Sequence, residues 1–360
     1  MSRLTILPDA PALTDRRAAA QNSLSTASTE ETRLIDAFGR RLTYLRVSVT
    51  DRCNLRCTYC LPADASFPFG DRDFLSVTEI EAIVGALARL GIRRVRLTGG
   101  EPLLRRDILE IASRVKALPG IEDLALSTNG TELERLAPAL KEAGVDRVNI
   151  SLDSLDPDTF REITRTGDVE QVWRGVEAAL AAGLHPVKLN AVLLAQSNLA
   201  DLDRLVALTL DRPLSIRFIE MMPTASNQHL QPAEYVSCDA IRARIEERFG
   251  ALEPSGTLAA RTGPAKAFRL AGALGEVGFI TPLSHTFCAE CNRLRLTARG
   301  ELRLCLFADR VFPLRHLLAA ADPEAALEEE ILRVLQEKPA EHMLTQGDYG
   351  NLVSFMQIGG

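Results

Sequence analysis

From residue 44 onward the chain alternates short apolar runs with amphipathic ones. Residues 44–50 read as a buried strand, and Ser76 with Glu79 then forms a capping box. Ile80, Val84, Leu87 and Leu90 follow at helical spacing, and Gly91 closes that helix. The same alternation repeats: strands at 94–98, 124–127, 147–152, 187–193 and 215–220, with helices through Ile108, Ile111 and Val115, over 133–143 and over 169–182. Strand–helix units in series bury strands on both faces, so they predict a parallel sheet covered by helices.

Six such strands are too few for a closed eightfold barrel, so the pattern predicts an α/β fold, a partial (βα)6 barrel of TIM type. After residue 222 the pattern changes to a helix over 239–249 and short strands near 267–270, 278–281, 293–297 and 302–306. Helices over 313–321 and 323–335 follow. Arg299-Gly300 marks a hairpin between the last two strands. This stretch is expected to be a C-terminal α+β extension covering the open side of the barrel. The division is then a flexible extension over 1–33, the barrel over 34–222, the C-terminal segment over 223–345 and a tail over 346–360 that ends in Gly-Gly.

Composition narrows the class. Hydrophobic content of 46% and charged content of 25% are those of an ordinary globular protein, and the net charge of −6 argues against wholesale nucleic-acid binding. No apolar run approaches the roughly 20 residues of a membrane span. Seven cysteines, an odd number with no leader pattern before them, make a disulfide framework unsuitable and point to a reducing, cytoplasmic setting.

Those cysteines fall into two trios and a singlet. Cys53, Cys57 and Cys60 lie in one loop directly after the first strand. Thiolates select zinc or iron–sulfur clusters. Structural zinc takes four closed ligands, and no histidine is near, so either a four-iron cluster with one open iron or a zinc site borrowing a distant ligand fits. Cys288 and Cys291, with Cys305 on the facing hairpin strand, repeat the problem; His285 is a candidate fourth zinc ligand there. Cys238 is expected to be a buried apolar residue.

Barrel function collects at the C-terminal ends of strands. There the second strand runs into Thr98-Gly99-Gly100-Glu101-Pro102, whose glycines permit close backbone approach. Ser127 and Ser151 end the third and fourth strands. Arg46, Arg96, Lys188 and Arg217 lie on strands one, two, five and six, where convergence makes an anion site. No G-x-x-x-x-G-K-[ST] loop is present, so a nucleotide is not held as in a P-loop protein.

The spacing C-x3-C-x2-C with Tyr59 before the last cysteine resembles the radical S-adenosylmethionine (SAM) superfamily, and 99–102 resembles its GGEP motif. Together with Cys288–Arg295, Cys305 and Gly359-Gly360, the chain resembles the GTP 3′,8-cyclases of molybdenum cofactor biosynthesis over about 34–360. That resemblance implies two [4Fe-4S] clusters, the first on Cys53, Cys57 and Cys60 and the second on Cys288, Cys291 and Cys305. It implies SAM at Tyr59, Gly99, Gly100, Glu101, Ser151 and Met222, and GTP at Arg46, Arg96, Ser127, Lys188, Arg293, Leu294 and Arg295. Arg293, Arg295, Gly359 and Gly360 join the first trio as catalytic residues. Ser127 stands where the family is expected to carry threonine, with the hydroxyl kept.

The implied reaction converts GTP to 3′,8-cyclo-7,8-dihydroguanosine triphosphate, with an external electron donor, a homodimer, and product passing to cyclic pyranopterin monophosphate synthase. Two other readings stand beside it: a peptide-modifying radical SAM enzyme with an auxiliary cluster, and a zinc-binding regulatory or nucleic-acid module.

Overall fold

The structure is a computed structural model and describes residues 32–62, 70, 73–224, 226–230, 232–256, 263–342, 344 and 355. The tail glycines Gly359 and Gly360 and nearly all of the 1–33 extension lie outside the described residues.

The sequence pattern materialises as β1 (Tyr44–Ser48), β2 (Arg94–Thr98), β3 (Asp123–Thr128), β4 (Arg147–Ser151), β5 (Val187–Val192) and β6 (Leu214–Ile219), all parallel in sequence order. Helices α1 (Val77–Leu90), α2 (Ile108–Ala117), α3 (Leu133–Glu142), α4 (Pro157–Thr164), α5 (Val169–Ala181) and α6 (Leu202–Asp211) cross over between them. The capping box of α1 forms as the sequence requires, with Ser76 accepting from the Glu79 amide and Glu79 from the Ser76 amide. Helix α4 is an addition to the sequence reading; Asp156 caps it and Pro157 opens it, a start signal legible in Asp-Pro.

The C-terminal segment joins the same sheet on both flanks. After α7 (Cys238–Phe249), β7 (Glu253–Pro254), β8 (Lys266–Arg269) and β9 (Glu276–Ile280) form an antiparallel run whose β9 lies parallel to β6. Then β10 (Arg293–Leu296) lies parallel to β1 at the opposite flank, carrying β11 (Glu301–Arg303) and β12 (Phe312–Pro313). The order β12-β11-β10-β1-β2-β3-β4-β5-β6-β9-β8-β7 is that of an open sheet. The connection between β9 and β10 leads from one flank to the other and carries Cys288 and Cys291.

The sequence places a helix over 313–321; the structure gives instead a short 3-10 turn at Arg315–Ala319, then α8 (Pro323–Leu335). Strand β12 takes the first residues and no side chain caps the turn, so too few residues remain to nucleate an α-helix.

Period-two alternation decides which side chains reach the interior. On β1, Leu45 and Val47 are fully buried beneath the helices while Arg46 faces the cavity; on β10, Leu294 and Leu296 are buried and Arg293 and Arg295 face it.

Candidate active site

The described strand ends surround a cavity of about 320 Å³, within the range of small-molecule pockets. Both cysteine trios line it.

The first trio is held by backbone on every side. The Thr58 amide donates to Ile163 O at 2.9 Å and the Arg56 amide to Thr164 O at 3.1 Å, so the end of α4 backs the loop. Opposite, Asn227 donates to Tyr59 O at 2.8 Å and to Met222 O at 3.0 Å, and Ser226 to Cys60 O at 3.1 Å.

The glycine pair lines the cavity and also has a second role behind it. A Cβ on Gly99 would stand 2.2 Å from Thr50 O, and one on Gly100 would stand 2.2 Å from Arg52 O. The close approach is to the protein's own cysteine loop, sealed by Gly100 N to Thr50 O at 2.9 Å and Glu101 N to Arg52 O at 2.7 Å. Gly99 also has φ +147°, which disfavours any side chain.

Glu101 is likewise turned inward. Its carboxylate accepts from Leu103 N at 2.9 Å, Thr128 Oγ1 at 2.8 Å and Asn129 N at 2.6 Å, and complete burial pushes it up to about 7. It fixes the turn and leaves ligand contacts to its neighbours. Tyr59 donates to Asp153 at 2.7 Å, and burial raises that carboxyl to about 6. Ser127, Ser151 and Met222 face the cavity as expected.

The cations form a connected band. Arg295, Arg46 and Arg96 stand level on three adjacent strands, since Arg46 pairs in register with both others. Arg217 lies level with Asn190 on β5, and Lys188 lies one pleat below Asn190 on the same face. Arg147 also enters the interior, but Asp123 pairs with it. The Nε atoms of Arg96 and Arg217 are buried without a hydrogen-bond partner among the described residues. Burial, followed by Arg217, Arg147 and Arg96, pulls Lys188 down to about 6; burial and Arg96 pull Arg217 down to about 9. Cations this close and this dry either lose a proton, as Lys188 does, or favour an anion beside them.

Lys188 is buried behind the cavity wall, and Leu294 points its side chain into the core between the two arginines. Any role of Leu294 toward a ligand falls to its backbone.

The second trio faces the same cavity. Burial would raise Cys291, but Arg293 and then Lys338 outweigh it and bring the thiol to about 7. By contrast, burial pushes Cys53 up to about 11. His285 turns its ring to Asp239 at 2.8 Å. Cys238 is buried and bonds backbone carbonyls of Phe218 and Ile280, each at 3.6 Å, as its apolar reading anticipates.

Among the described residues no three His, Cys, Asp or Glu side chains close on a single-ion position. Zinc draws its sulfurs to about 2.3 Å. Two trios of thiols lining one cavity, each short of a fourth cysteine, suit polynuclear clusters. Residues that sequence reasoning passed over are Asp153, Asn227 and the pair Arg40 and Lys338. Their side chains bond backbone or another side chain, and only the fold brings those partners near. Among the described residues no helix is long and apolar enough to cross a membrane.

Comparisons with known proteins match two successive stretches of the chain. The Radical SAM superfamily family model matches residues 47–209, and Molybdenum Cofactor Synthesis C matches residues 214–344. A GTP 3′,8-cyclase of Heliobacterium modesticaldum is 46% identical over 329 residues, 91% of this chain and 100% of that protein. One of Moorella thermoacetica is 47% identical over 325 residues, 90% of this chain and 99% of the relative. One of Pseudomonas entomophila is 44% identical over 330 residues, covering 91% and 98%. The crystal structure of Streptococcus suis SuiB bound to S-adenosylmethionine shares the fold, with a TM-score of 0.56, 14% identity, and 85% of this chain and 68% of that one covered.

Proposed function

The chain belongs to the GTP 3′,8-cyclase family of the radical SAM superfamily, and on that premise we propose how its cavity divides the work. The observation that carries the reading is the meeting of two cysteine trios and a band of buried cations at one cavity. The enzyme converts GTP to 3′,8-cyclo-7,8-dihydroguanosine 5′-triphosphate, an early step of molybdenum cofactor synthesis, with SAM and two [4Fe-4S] clusters.

Cys53, Cys57 and Cys60 would hold the first cluster and Cys288, Cys291 and Cys305 the second. Bound there with SAM and an electron, the first would supply radical chemistry at the ribose 3′ position, and the second would supply Lewis-acid binding of guanine. The protein's own groups position and exclude. Tyr59, fixed by Asp153, and the rim residues Gly100, Ser151 and Met222 receive SAM. Arg46, Arg96, Arg217 and Arg295 bind the triphosphate by charge-assisted hydrogen bonds, with Ser127 at the wall and Lys188 behind it. Arg293 stacks over Phe287 at 4.8 Å, beside the second trio, and guides the purine. By the family resemblance, Gly359 and Gly360 of the tail support catalysis.

The division at residue 222 separates SAM cleavage from purine binding. A homodimer, an external electron donor, a cytoplasmic setting and delivery of product to cyclic pyranopterin monophosphate synthase complete the reading. An anaerobic incubation with SAM, dithionite and 3′-deuterated GTP tests it. Deuterium is expected in 5′-deoxyadenosine alongside cyclised nucleotide; label retained in GTP while SAM is cleaved overturns it.

A further inference from the structure

Residues 338–340, just beyond α8, are tied to the flanks of the second trio, directly through Lys338 at Cys291 and Cys305 and through Arg40 at Cys288. The Lys338 ammonium donates to Leu304 O, next to Cys305, and to Arg293 O at 3.2 Å, two residues past Cys291. Arg40 donates to Cys288 O at 2.9 Å and, from the same guanidinium, to Ala340 O at 2.7 Å and Pro339 O at 2.6 Å. One strap and two buried cations therefore fix three segments that are far apart in sequence.

The two cations differ in one respect. Arg40 has its own counter-charge in Asp36 at 2.6 Å. Lys338 is 3% exposed and no carboxylate among the described residues pairs with it; burial lowers its pKa, and the sulfurs of Cys291 and Cys305 oppose that by favouring its charge. A buried ammonium needs a compensating anion. Three thiolates around a four-iron core form a net negative group, and reduction makes it more so.

We propose that Lys338 is a positioning residue of the second cluster, clamping the segments that bear Cys291 and Cys305 and placing one buried positive charge beside the metal. The charge stabilises the reduced state, since cluster potentials respond to nearby charge and burial. The inference rests on the assignment of the second trio to a four-iron cluster.

The test compares wild type, Lys338→Met and Lys338→Arg as full, anaerobically reconstituted enzymes. Iron and zinc content are measured first, then the potential of the second cluster by redox-poised electron paramagnetic resonance. SAM is present to displace the first cluster's signal. Formation of 5′-deoxyadenosine serves as a control for the fold. Lys338→Met is expected to lower the reduced-to-oxidised ratio at a fixed poise about tenfold, which is about 59 mV for a one-electron couple, or to shed the second cluster's iron. Lys338→Arg is expected to restore whichever is lost. Unchanged iron and potential in Lys338→Met overturns the proposal, as does equal loss in both variants, which would mark a role of shape alone. Zinc, or about four irons, in wild type itself would overturn the two-cluster reading on which the proposal rests.

Discussion

Lys188 gives the sharpest quantitative prediction because its charge and its surroundings are at odds. Burial and three nearby guanidinium groups bring it from 10.5 down to about 6. At pH 7 only about one molecule in ten then carries the proton, and the gap amounts to about 6 kcal/mol between the two protonation states. A triphosphate bound on the band reverses the sign of the local field and returns the amine toward its ordinary range. Binding GTP at pH 7 should therefore take up about 0.9 proton at this site.

Calorimetric titration of GTP into anaerobic enzyme, in buffers of different ionisation enthalpy, measures the uptake. Lys188→Met subtracts every other source, including the nucleotide itself. The wild-type Kd should weaken relative to Lys188→Arg as pH rises above about 6, approaching tenfold per pH unit until the ordinary lysine range is reached. For the empty protein the sign is opposite in effect. The unfolded chain binds the extra proton between about 6 and 10.5, so this lysine's contribution to stability rises with pH across that window. Equal proton uptake by wild type and Lys188→Met, or parallel pH profiles for Lys188 and Arg, would refute the reasoning.

Other perturbations address the remaining parts of the site. Cys288→Ser or Cys305→Ser should reduce iron from about eight to about four per chain and abolish cyclisation while 5′-deoxyadenosine still forms; wild-type cyclisation in either variant counts against the second cluster. Arg96→Met should weaken GTP binding by about 10- to 100-fold, the worth of one or two charge-assisted hydrogen bonds, with SAM affinity unchanged in the same titration. Gly100→Ala drives a Cβ to 2.2 Å from Arg52 O and should cost about 1–3 kcal/mol in denaturant unfolding, with impaired iron loading at the first trio. Asp153→Asn should leave the iron count intact but weaken SAM binding severalfold, as Tyr59 loses a charged acceptor at 2.7 Å.

The parallel core was legible because its signals are local. Alternation sets the six strands, and a capping box with a terminal glycine sets α1. The cysteine trios and the Gly-Gly turn were legible too, since their chemistry is written in spacing. What each glycine approaches was not: Thr50 and Arg52 become neighbours of Gly99 and Gly100 only when β1 and β2 pair. The two-residue strands β7 and β12 are too short to show any period. Glu101 read as a ligand-facing acid, yet its three donors include a side chain and an amide from the end of β3, a contact made by tertiary structure alone. The contacts of Lys338 and Arg40 with the second trio were silent for the same reason, because they are made to backbone carbonyls.

The stretch from β9 to β10 runs between the two flanks of the open sheet and carries Cys288 and Cys291 of the second trio. A cluster seated on that connection would tie the two flanks of the sheet together around the purine, so iron at the second trio would serve the shape of the chamber as well as its chemistry.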